Sequence, residues 1–454
     1  MANSGHYVAI FGGAVSGAEA AFQLTQKGIR CAVFEQNTLP YGKIEDGLPK
    51  WHVKLRDKEE QRINEKIGHP LVDYVPGVKL GRDVDFEEVA REWGFSAVLL
   101  ATGAWKDRPL PVEGADDYID KGLVYQNPFI YWFNHFHEPG YDGPTYDILD
   151  GTIVVGGGLA SIDVVKVLMM ESVGRALAAR GHNVDLFTLD RSIAKVLNDL
   201  GLTLDDLGIK GCTLYYRRRV QDMPLSPMET DTPEKLEKAE RVREKILSNA
   251  QSKYLFHMRA QHVPVSTIVE DGRLAGLVFQ QTELDASGRA KPIEGSEIEA
   301  RGPVVISSIG SLPEMIDGIP AQWGVYNVLE DDCCRIEGFE SAFALGNAVT
   351  GRGNINESLK HGRETTQQII ATYLSEEEQA IADAYAGTAE RVAERVSEIS
   401  ARLSAIASPS EATMEKLRNR VRRLQQASGY DGNYEKWVRT HLPPRLEEIL
   451  GVKH

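Results

Sequence analysis

The sequence predicts an α/β fold in which two similar three-layer units are combined, the second inserted into the first, followed by an α-helical C-terminal extension. Three observations lead to this expectation. The apolar run Tyr7–Phe11 meets a glycine-rich turn and then an alanine-rich stretch at 18–26, which is the order strand, tight turn, helix. The same order begins again with an apolar run at 152–155, the turn GGGLAS and a helical stretch at 162–170. Beyond Ser375 the composition shifts to Ala, Glu and Arg, which predicts two or three helices with a break near SPSEA.

The bulk composition excludes some classes of function. The chain has 454 residues, which suggests two or three domains, and a formal net charge of -15. This acidic balance argues against nucleic acid or an anionic membrane as the main partner, because both require a basic surface. The four cysteines form no CxxC pair and no set spaced for zinc or an iron–sulfur cluster. There is no charged N-terminal region ahead of an apolar stretch and no run of about 18 apolar residues, so we expect a cytoplasmic protein.

The repeated pattern also predicts how the chain is divided. We expect residues 1–105 and 331–374 to form the first unit, residues 106–330 the second unit with its linkers, and residues 375–454 the helical extension. Further strands are predicted at 31–34, 97–101, 184–189, 273–282 and 303–309, and further helices at 232–253 and 357–374. The helix at 232–253 carries Lys, Glu and Arg at three- and four-residue spacings, so we expect it to present a solvated face.

The first glycine-rich turn, GGAVSG at 12–17, has the fingerprint of a Rossmann-like dinucleotide-binding domain. Gly12 permits the turn, the small Ala14 lets the backbone approach a pyrophosphate, and Gly17 lets the helix sit close to the strand. The helix N-terminus then meets the phosphate charge. Glu35 ends the next strand at the expected spacing, where it can accept hydrogen bonds from a ribose hydroxyl. We therefore interpret this turn as a dinucleotide site rather than an ordinary loop.

The second glycine-rich turn predicts a second Rossmann-like domain in the same chain. It again lies between a strand and a helix, with Ser161 in place of the final glycine, and small residues still allow the close approach. Its candidate contacts with a nicotinamide dinucleotide are Gly156, Gly158, Leu159, Ala160 and Ser161.

The choice between NADH and NADPH depends on residues after this second turn. The predicted strand at 184–189 runs into Asp190, which favours a free ribose hydroxyl, and Arg191, which favours a 2′-phosphate. Arg217 and Arg218, in a run of three arginines, offer further phosphate donors, although such runs more often face solvent. These signals conflict, and they favour NADPH only slightly.

Taken together, the motifs resemble the adrenodoxin reductase family of ferredoxin–NADP reductases, and less closely the small subunit of glutamate synthase. The resemblance covers most of residues 6–373. Five motifs recur in order, namely PYGKIEDGLPKWH at 40–52, ATGA at 101–104, WFN at 132–134, SSIG at 307–310 and the glycine-rich segment at 346–355. The resemblance implies FAD in the first domain and NAD(P)H in the inserted second domain.

The resemblance also implies roles for individual residues toward FAD. Those expected to hold the adenosine and pyrophosphate are Gly12, Ala14, Ser16, Gly17, Glu35 and Gln36, and those expected on the flavin side are Gly42, Lys43 and Leu48. Those expected to cross the cofactor at the domain junction are Ala101, Thr102 and Gly103, and those expected at the ribityl chain and flavin ring are Gly346, Asn347, Gly353, Asn354 and Ile355. A helix that begins at this last segment would point its N-terminus at the flavin edge where negative charge grows on reduction.

Two departures from the family pattern leave properties of the site open. Leu189-Asp190 replaces the arginine pair that grips the 2′-phosphate in adrenodoxin reductases, whereas Tyr216-Arg217-Arg218, Met223-Pro224 and Glu229 resemble the glutamate synthase relatives. Asn347 stands where adrenodoxin reductases have a tryptophan and the glutamate synthase relatives an aspartate, a change that can move the flavin potential.

Several other residues admit two interpretations. Cys333 and Cys334 could form a redox pair, but neighbours on an extended strand face opposite sides, so we favour structural burial. His135 and His137 have a spacing that could bind metal, but no third ligand is evident, so we favour packing at the domain junction and assign no metal. His52 and His361 lie near flavin segments, where either could tune the flavin or satisfy a local carbonyl.

The sequence therefore predicts an enzyme that transfers hydride from NAD(P)H to a flavin and electrons onward to a ferredoxin or another iron–sulfur protein. Hydride passes directly between stacked rings, so no catalytic residue is assigned. Candidate acceptor docks are Arg217–Arg219 and the group Arg241, Arg243 and Lys245. Two alternatives remain, namely the electron-input subunit of a larger complex, contacted through the helical extension, and a non-catalytic flavin-binding module.

Overall fold

The computed structural model describes residues 5–226, 228, 230–329, 332–350, 377–403 and 408–452. Its first sheet has seven strands. In spatial order they are Val328–Leu329, Arg335–Ile336, Ala342–Ala344, Ala97–Leu100, Tyr7–Phe11, Arg30–Glu35 and Val72–Pro76. The last five of these run parallel, with Phe11 opposite both Phe34 and Leu100. The carboxyl ends of the central strands therefore meet at one edge of the sheet, where ligands bind in folds of this kind.

Both faces of the first sheet are covered, which makes this unit three-layered. The helices Val15–Gln26, Val53–Ile67 and Glu377–Leu403 pack on one face. The helices Phe86–Arg91 and Glu411–Ala427 pack on the other. Because Val392 and Met414 are buried in these two cores, the C-terminal extension contributes to both outer layers.

The second sheet has five parallel strands. In spatial order they are Leu123–Tyr125, Val305–Ser308, Ile153–Gly156, Thr213–Tyr216 and His257–Ala260. The helix Leu159–Ala178 packs on one face, and an antiparallel sheet covers the other. The strands of that antiparallel sheet are His262–Glu270, Arg273–Leu284, Ala290–Pro292 and Ile298–Arg301.

The remaining elements connect these layers. Helices lie at Lys43–Asp46, Gln126–His135, Leu186–Arg191, Ile193–Leu200, Leu204–Leu207, Pro233–Tyr254, Asn347–Thr350, Tyr434–His441 and Leu446–Ile449, and 3-10 turns at Ala115–Tyr118 and Val220–Asp222. The chain crosses between the two sheets at Lys106–Asp107 and Ser311–Leu312, which pair antiparallel, and a short hairpin joins Ala321–Gln322 to Val325–Tyr326. None of the helices in the described part of the chain combines the length and apolar character needed to cross a membrane.

The predicted fold class is confirmed, with two Rossmann-like units and a helical C-terminal part. The exact domain boundaries stay predictions, and the helix predicted at 357–374 lies outside the described residues. The strand predicted at 184–189 is wrong, because Leu186–Arg191 is a helix whose N-cap, Asp185, accepts a hydrogen bond from the Thr188 N–H. The strand beside Ile153–Gly156 is instead Thr213–Tyr216. A short apolar run fits either a helix or a strand, so its periodicity could not decide between them.

Candidate functional site

A cleft of about 440 Å³ opens at the carboxyl edge of the first sheet. Its lining includes most of the residues predicted to contact FAD, namely Gly12, Ala14, Ser16, Glu35, Gln36, Gly42, Lys43, Ala101, Thr102, Gly103 and Asn347. Gly17, Leu48 and Gly346 do not line it, and Gly353, Asn354 and Ile355 lie outside the described residues. Four regions distant in sequence therefore meet around one cavity.

The first turn brings its backbone closer than any side chain would allow. Gly12 has a φ of +100°, and a Cβ placed there would lie 2.4 Å from the carbonyl oxygen of Ala101. A Cβ at Gly17 would lie 1.7 Å from the carbonyl oxygen of Gly12. Gly17 therefore acts behind the cleft, where it lets the helix Val15–Gln26 press against the turn.

The helix Val15–Gln26 presents its N-terminus to the cleft without a side-chain cap. Its N-cap is Ala14, which makes no side-chain hydrogen bond, whereas a typical N-cap is Ser, Thr, Asp or Asn. The N–H groups of the first helical turn lack partners within the helix and carry a partial positive charge. An uncapped helix start next to a glycine cradle fits the pyrophosphate of a dinucleotide such as FAD.

Glu35 is held rigidly at the end of the neighbouring strand. Its Oε2 accepts a hydrogen bond of 2.8 Å from the Gly13 N–H, and its Oε1 accepts one of 3.0 Å from the Asn37 N–H. The carboxyl group is buried, and burial raises the pKa of Glu35 to about 7. Each carboxylate oxygen has two acceptor sites, so Glu35 can still receive a ribose hydroxyl while it ties together the turn and the loop beyond.

A partly buried lysine, Lys43, lies where the two units join. The Lys43 ammonium donates hydrogen bonds of 2.9 Å to Asn127 Oδ1 and 3.1 Å to Ser311 Oγ. The Asn127 N–H donates to the carboxylate of Asp107. Burial lowers the pKa of Lys43 to about 8 and raises that of Asp107 to about 6. Lys43 was predicted from the family resemblance, but its partners were missed, because only the fold brings the two crossing strands together.

The second turn forms a similar cradle. A Cβ at Gly156 would lie 2.4 Å from the carbonyl oxygen of Ser308, and one at Gly157 would meet the ring of Tyr216 at 2.2 Å. The helix Leu159–Ala178 also begins without a side-chain cap, at Gly158. The Ser161 hydroxyl donates a 3.0 Å hydrogen bond to the carbonyl of Gly158, so the serine that replaces the third glycine tightens the turn.

Arg217 and Arg218 occupy the position in the second unit that Glu35 occupies in the first. They directly follow Thr213–Tyr216, the strand next to Ile153–Gly156. Guanidinium groups bind phosphates bidentately, so this position suits a 2′-phosphate.

The expectation that Asp190 and Arg191 end a strand is wrong, because both lie on the helix Leu186–Arg191. Asp190 Oδ1 is 3.1 Å from the buried ammonium of Lys166, and its backbone carbonyl accepts a hydrogen bond from the Tyr254 hydroxyl. Asp190 therefore does not end a strand beside the second glycine turn, and its position gives no preference for NADH.

The two sites are joined by direct packing. Leu48 and Leu55, from the first unit, form a small buried cluster, and Leu159, the first residue of the second dinucleotide helix, packs against this cluster. Trp51 and Val53 belong to the same buried core as that helix. Leu48, predicted to line the flavin side, lies in this cluster between the two units, and its contact with the flavin stays a prediction.

The candidate acceptor docks are only partly exposed. Arg243 is buried and donates to the carbonyl of Gln221. Arg219 pairs with Asp222 and Glu240. Arg217, Arg241 and Lys245 are exposed. In each of the two predicted docks, at least one arginine is therefore buried or paired with an acidic side chain, so neither dock is a continuous basic surface.

The cysteine and histidine pairs also have defined surroundings. Cys333 and Cys334 are buried cysteines that form no disulfide, and their positive φ angles place them in a turn rather than on the extended strand assumed from the sequence. Protonated His135 donates hydrogen bonds of 2.8 Å from Nδ1 to Glu138 and 3.1 Å from Nε2 to Asp46. Burial lowers the pKa of His135, but these two hydrogen bonds outweigh that effect and raise the pKa to about 9.

No protein-family model matches the chain, but comparisons with known proteins find relatives. The beta subunit of the NADPH-Fe(3+) oxidoreductase of Geobacter sulfurreducens is 28% identical over 330 residues, which are 70% of this chain and 39% of that protein. The glutamate synthase (NADPH) small chain of Bacillus subtilis is 30% identical over 175 residues, 37% of this chain and 33% of that one. The chain thus spans less than half the length of these curated relatives.

Among solved structures, the FprA protein of Mycobacterium tuberculosis in complex with NADPH has a TM-score of 0.63 at 17% identity, covering 93% of this chain and 90% of that one. This likeness shows the shared fold. The resemblance that the motifs predicted is confirmed. The relatives are named as NADPH-dependent oxidoreductases, in agreement with the predicted class of enzyme.

Proposed function

We propose that the chain is an FAD-dependent reductase that takes hydride from NADPH and passes electrons to a ferredoxin-like iron–sulfur acceptor. The observation that carries this proposal is that the start of the second dinucleotide helix packs against the first unit. Each cradle ends in an uncapped helix start at the carboxyl ends of parallel strands, and Leu159, at the second helix start, packs against the Leu48 and Leu55 cluster of the first unit. FAD supplies the step from two-electron to one-electron transfer.

The residues of the chain would bind and orient the two dinucleotides rather than exchange protons. The glycine turn at 12–17 would hold the FAD pyrophosphate, and Glu35 its ribose. The turn at 156–161 would hold the NADPH pyrophosphate, and Arg217 with Arg218 the 2′-phosphate. Holding two rings in reactive geometry supplies a large part of the rate enhancement in such reactions.

Anaerobic stopped-flow spectroscopy tests the proposal. Mixing the purified yellow protein with NADPH should bleach the flavin absorbance rapidly, and NADH should do so more slowly. Later addition of a ferredoxin should restore the oxidised spectrum. A colourless protein that retains no flavin would overturn the proposal, and a flavin that NADPH leaves oxidised would support a non-catalytic flavin-binding module instead.

A second candidate is the electron-input subunit of a larger complex. It is favoured by the names of the relatives, a beta subunit and a small chain. Under this alternative the chain would reduce artificial dyes with NADPH but would reduce ferredoxin poorly until its partner chain is added. Copurification followed by mass measurement of the native assembly separates the two candidates.

A further inference from the structure

The C-terminal extension reaches the back of the segment that lines the FAD cleft. We propose that four of its residues, Tyr434, Trp437, Arg445 and Glu447, form a C-terminal latch that positions residues 38–46 for FAD binding. The proposal rests on the proposed function, because it takes FAD as the occupant of the cleft. In this role the extension supports the FAD site itself, whereas the sequence-based alternative gave it the role of contacting a larger complex.

Arg445 provides the strongest connection. Arg445 is 7% exposed, and its guanidinium lies between two carboxylates, 2.6 Å from Glu45 Oε1 and 2.6 Å from Glu60 Oε1. A second ion pair joins Glu447 to Arg56, one turn away from Glu60 on the helix Val53–Ile67. Charges removed from water in this way interact strongly, and loss of one partner leaves the other buried without compensation.

Glu45 transmits this connection to the cleft. It lies on the four-residue helix Lys43–Asp46, which follows Gly42, and both Gly42 and Lys43 line the cleft. A helix of one turn is unstable by itself, because nucleation costs more than its few hydrogen bonds return. Its position must therefore come from tertiary contacts. The ion pair between Arg445 and Glu45 is one of these contacts.

A second, uncharged route reaches the same segment. The Tyr434 hydroxyl donates a 2.7 Å hydrogen bond to Asn64 Oδ1, and the Asn64 amide donates one of 3.0 Å to the hydroxyl of Tyr41, which lines the cleft. The Trp437 indole N–H donates a 2.8 Å hydrogen bond to the carbonyl of Thr38. Two chemically different sets of contacts thus converge on residues 38–46.

Titration of the apoprotein with FAD, followed by flavin fluorescence, tests the latch. Arg445→Met should raise the FAD dissociation constant by about tenfold or more, because it unpairs Glu45 next to the cleft. Tyr434→Phe should raise it about threefold, through loss of one hydrogen bond. Arg445→Lys should restore part of the affinity, and the double variant Glu45→Gln with Arg445→Met should bind better than Arg445→Met alone.

Arg439→Met is the matched control, since Arg439 is exposed on the helix Tyr434–His441, and its FAD affinity should equal that of the wild type. Thermal unfolding of each apoprotein separates positioning from general stability. If Arg445→Met lowers the melting temperature and leaves FAD affinity unchanged, the latch is refuted. Should Arg445→Met fail to fold, Tyr434→Phe and Arg445→Lys decide by the same criterion. Wild-type protein that binds no FAD would instead overturn the proposed function, and the latch with it.

Discussion

The two dinucleotide units share their first half and differ in their second. In both, a buried strand turns through glycines into an uncapped helix. In the first unit only three residues separate that helix from the next strand, which ends in Glu35. In the second unit three short helices intervene, and the strand is followed by Arg217 and Arg218. Under the proposed function, the glycine turn would cradle the pyrophosphate in both units, and the end of the next strand would select the form of the ribose.

The largest expected effects test whether the two cradles are independent. Gly12→Val should abolish FAD retention, because its Cβ would lie 2.4 Å from a backbone carbonyl, at a cost of about 3 kcal/mol or more. Gly156→Val should abolish NADPH binding and spare FAD. The flavin spectrum after gel filtration and NADPH titration measure the two outcomes. Loss of both ligands in each variant would mean that the cradles form one cooperative unit.

Asp190 distinguishes a structural role from a role in nucleotide selection. Asp190→Asn should lower the free energy of unfolding by about 2 kcal/mol, because it removes the carboxylate beside the buried Lys166 ammonium. The ratio of NADPH to NADH activity should stay unchanged. Urea unfolding and steady-state kinetics with both dinucleotides provide the measurements, and a shift in the ratio would show that Asp190 takes part in nucleotide selection.

Arg217 tests the contrast between the two strand ends directly. Arg217→Ala should reduce the preference for NADPH over NADH by about tenfold, or about 1.4 kcal/mol, through the KM for NADPH. Arg241→Ala, on the exposed face of Pro233–Tyr254, is the matched control and should leave the preference intact. An equal loss of activity with both dinucleotides would show that Arg217 does not recognise the 2′-phosphate.

The smallest effect concerns the coupling of the two units through His135. Burial lowers the pKa of His135, but hydrogen bonds to Asp46 of the first unit and to Glu138 outweigh burial and raise this pKa from 6.5 to about 9. Protonated His135 therefore stabilises the folded state fully below pH 6.5, and this stabilisation is lost as the pH rises through about 9. Relative to His135→Gln, the wild type should be more stable by about 1 kcal/mol near pH 6 and equally stable above about pH 9. Urea unfolding across this range measures the difference, and a constant difference would exclude protonated His135 as its source.

The amino-acid sequence by itself determined the features that depend on neighbouring residues. The glycine turns, the strands before them and the helices after them follow from local propensity and hydrophobic period. The position of Glu35 follows in the same way, because one short helix separates its strand from the first glycine turn. Neighbouring residues also determine the helix Pro233–Tyr254 and the break in the chain before Glu411.

Only the tertiary structure decided the features that depend on long-range contacts. The strand Thr213–Tyr216 is recognisable as the partner of Ile153–Gly156 once the sheet is assembled, because pairing is a property of two strands and not of one. The partners of Lys43 and the contact of Arg445 with Glu45 join residues separated by up to 400 positions. Sequence periodicity carries no information about such contacts, since they arise from how the layers pack.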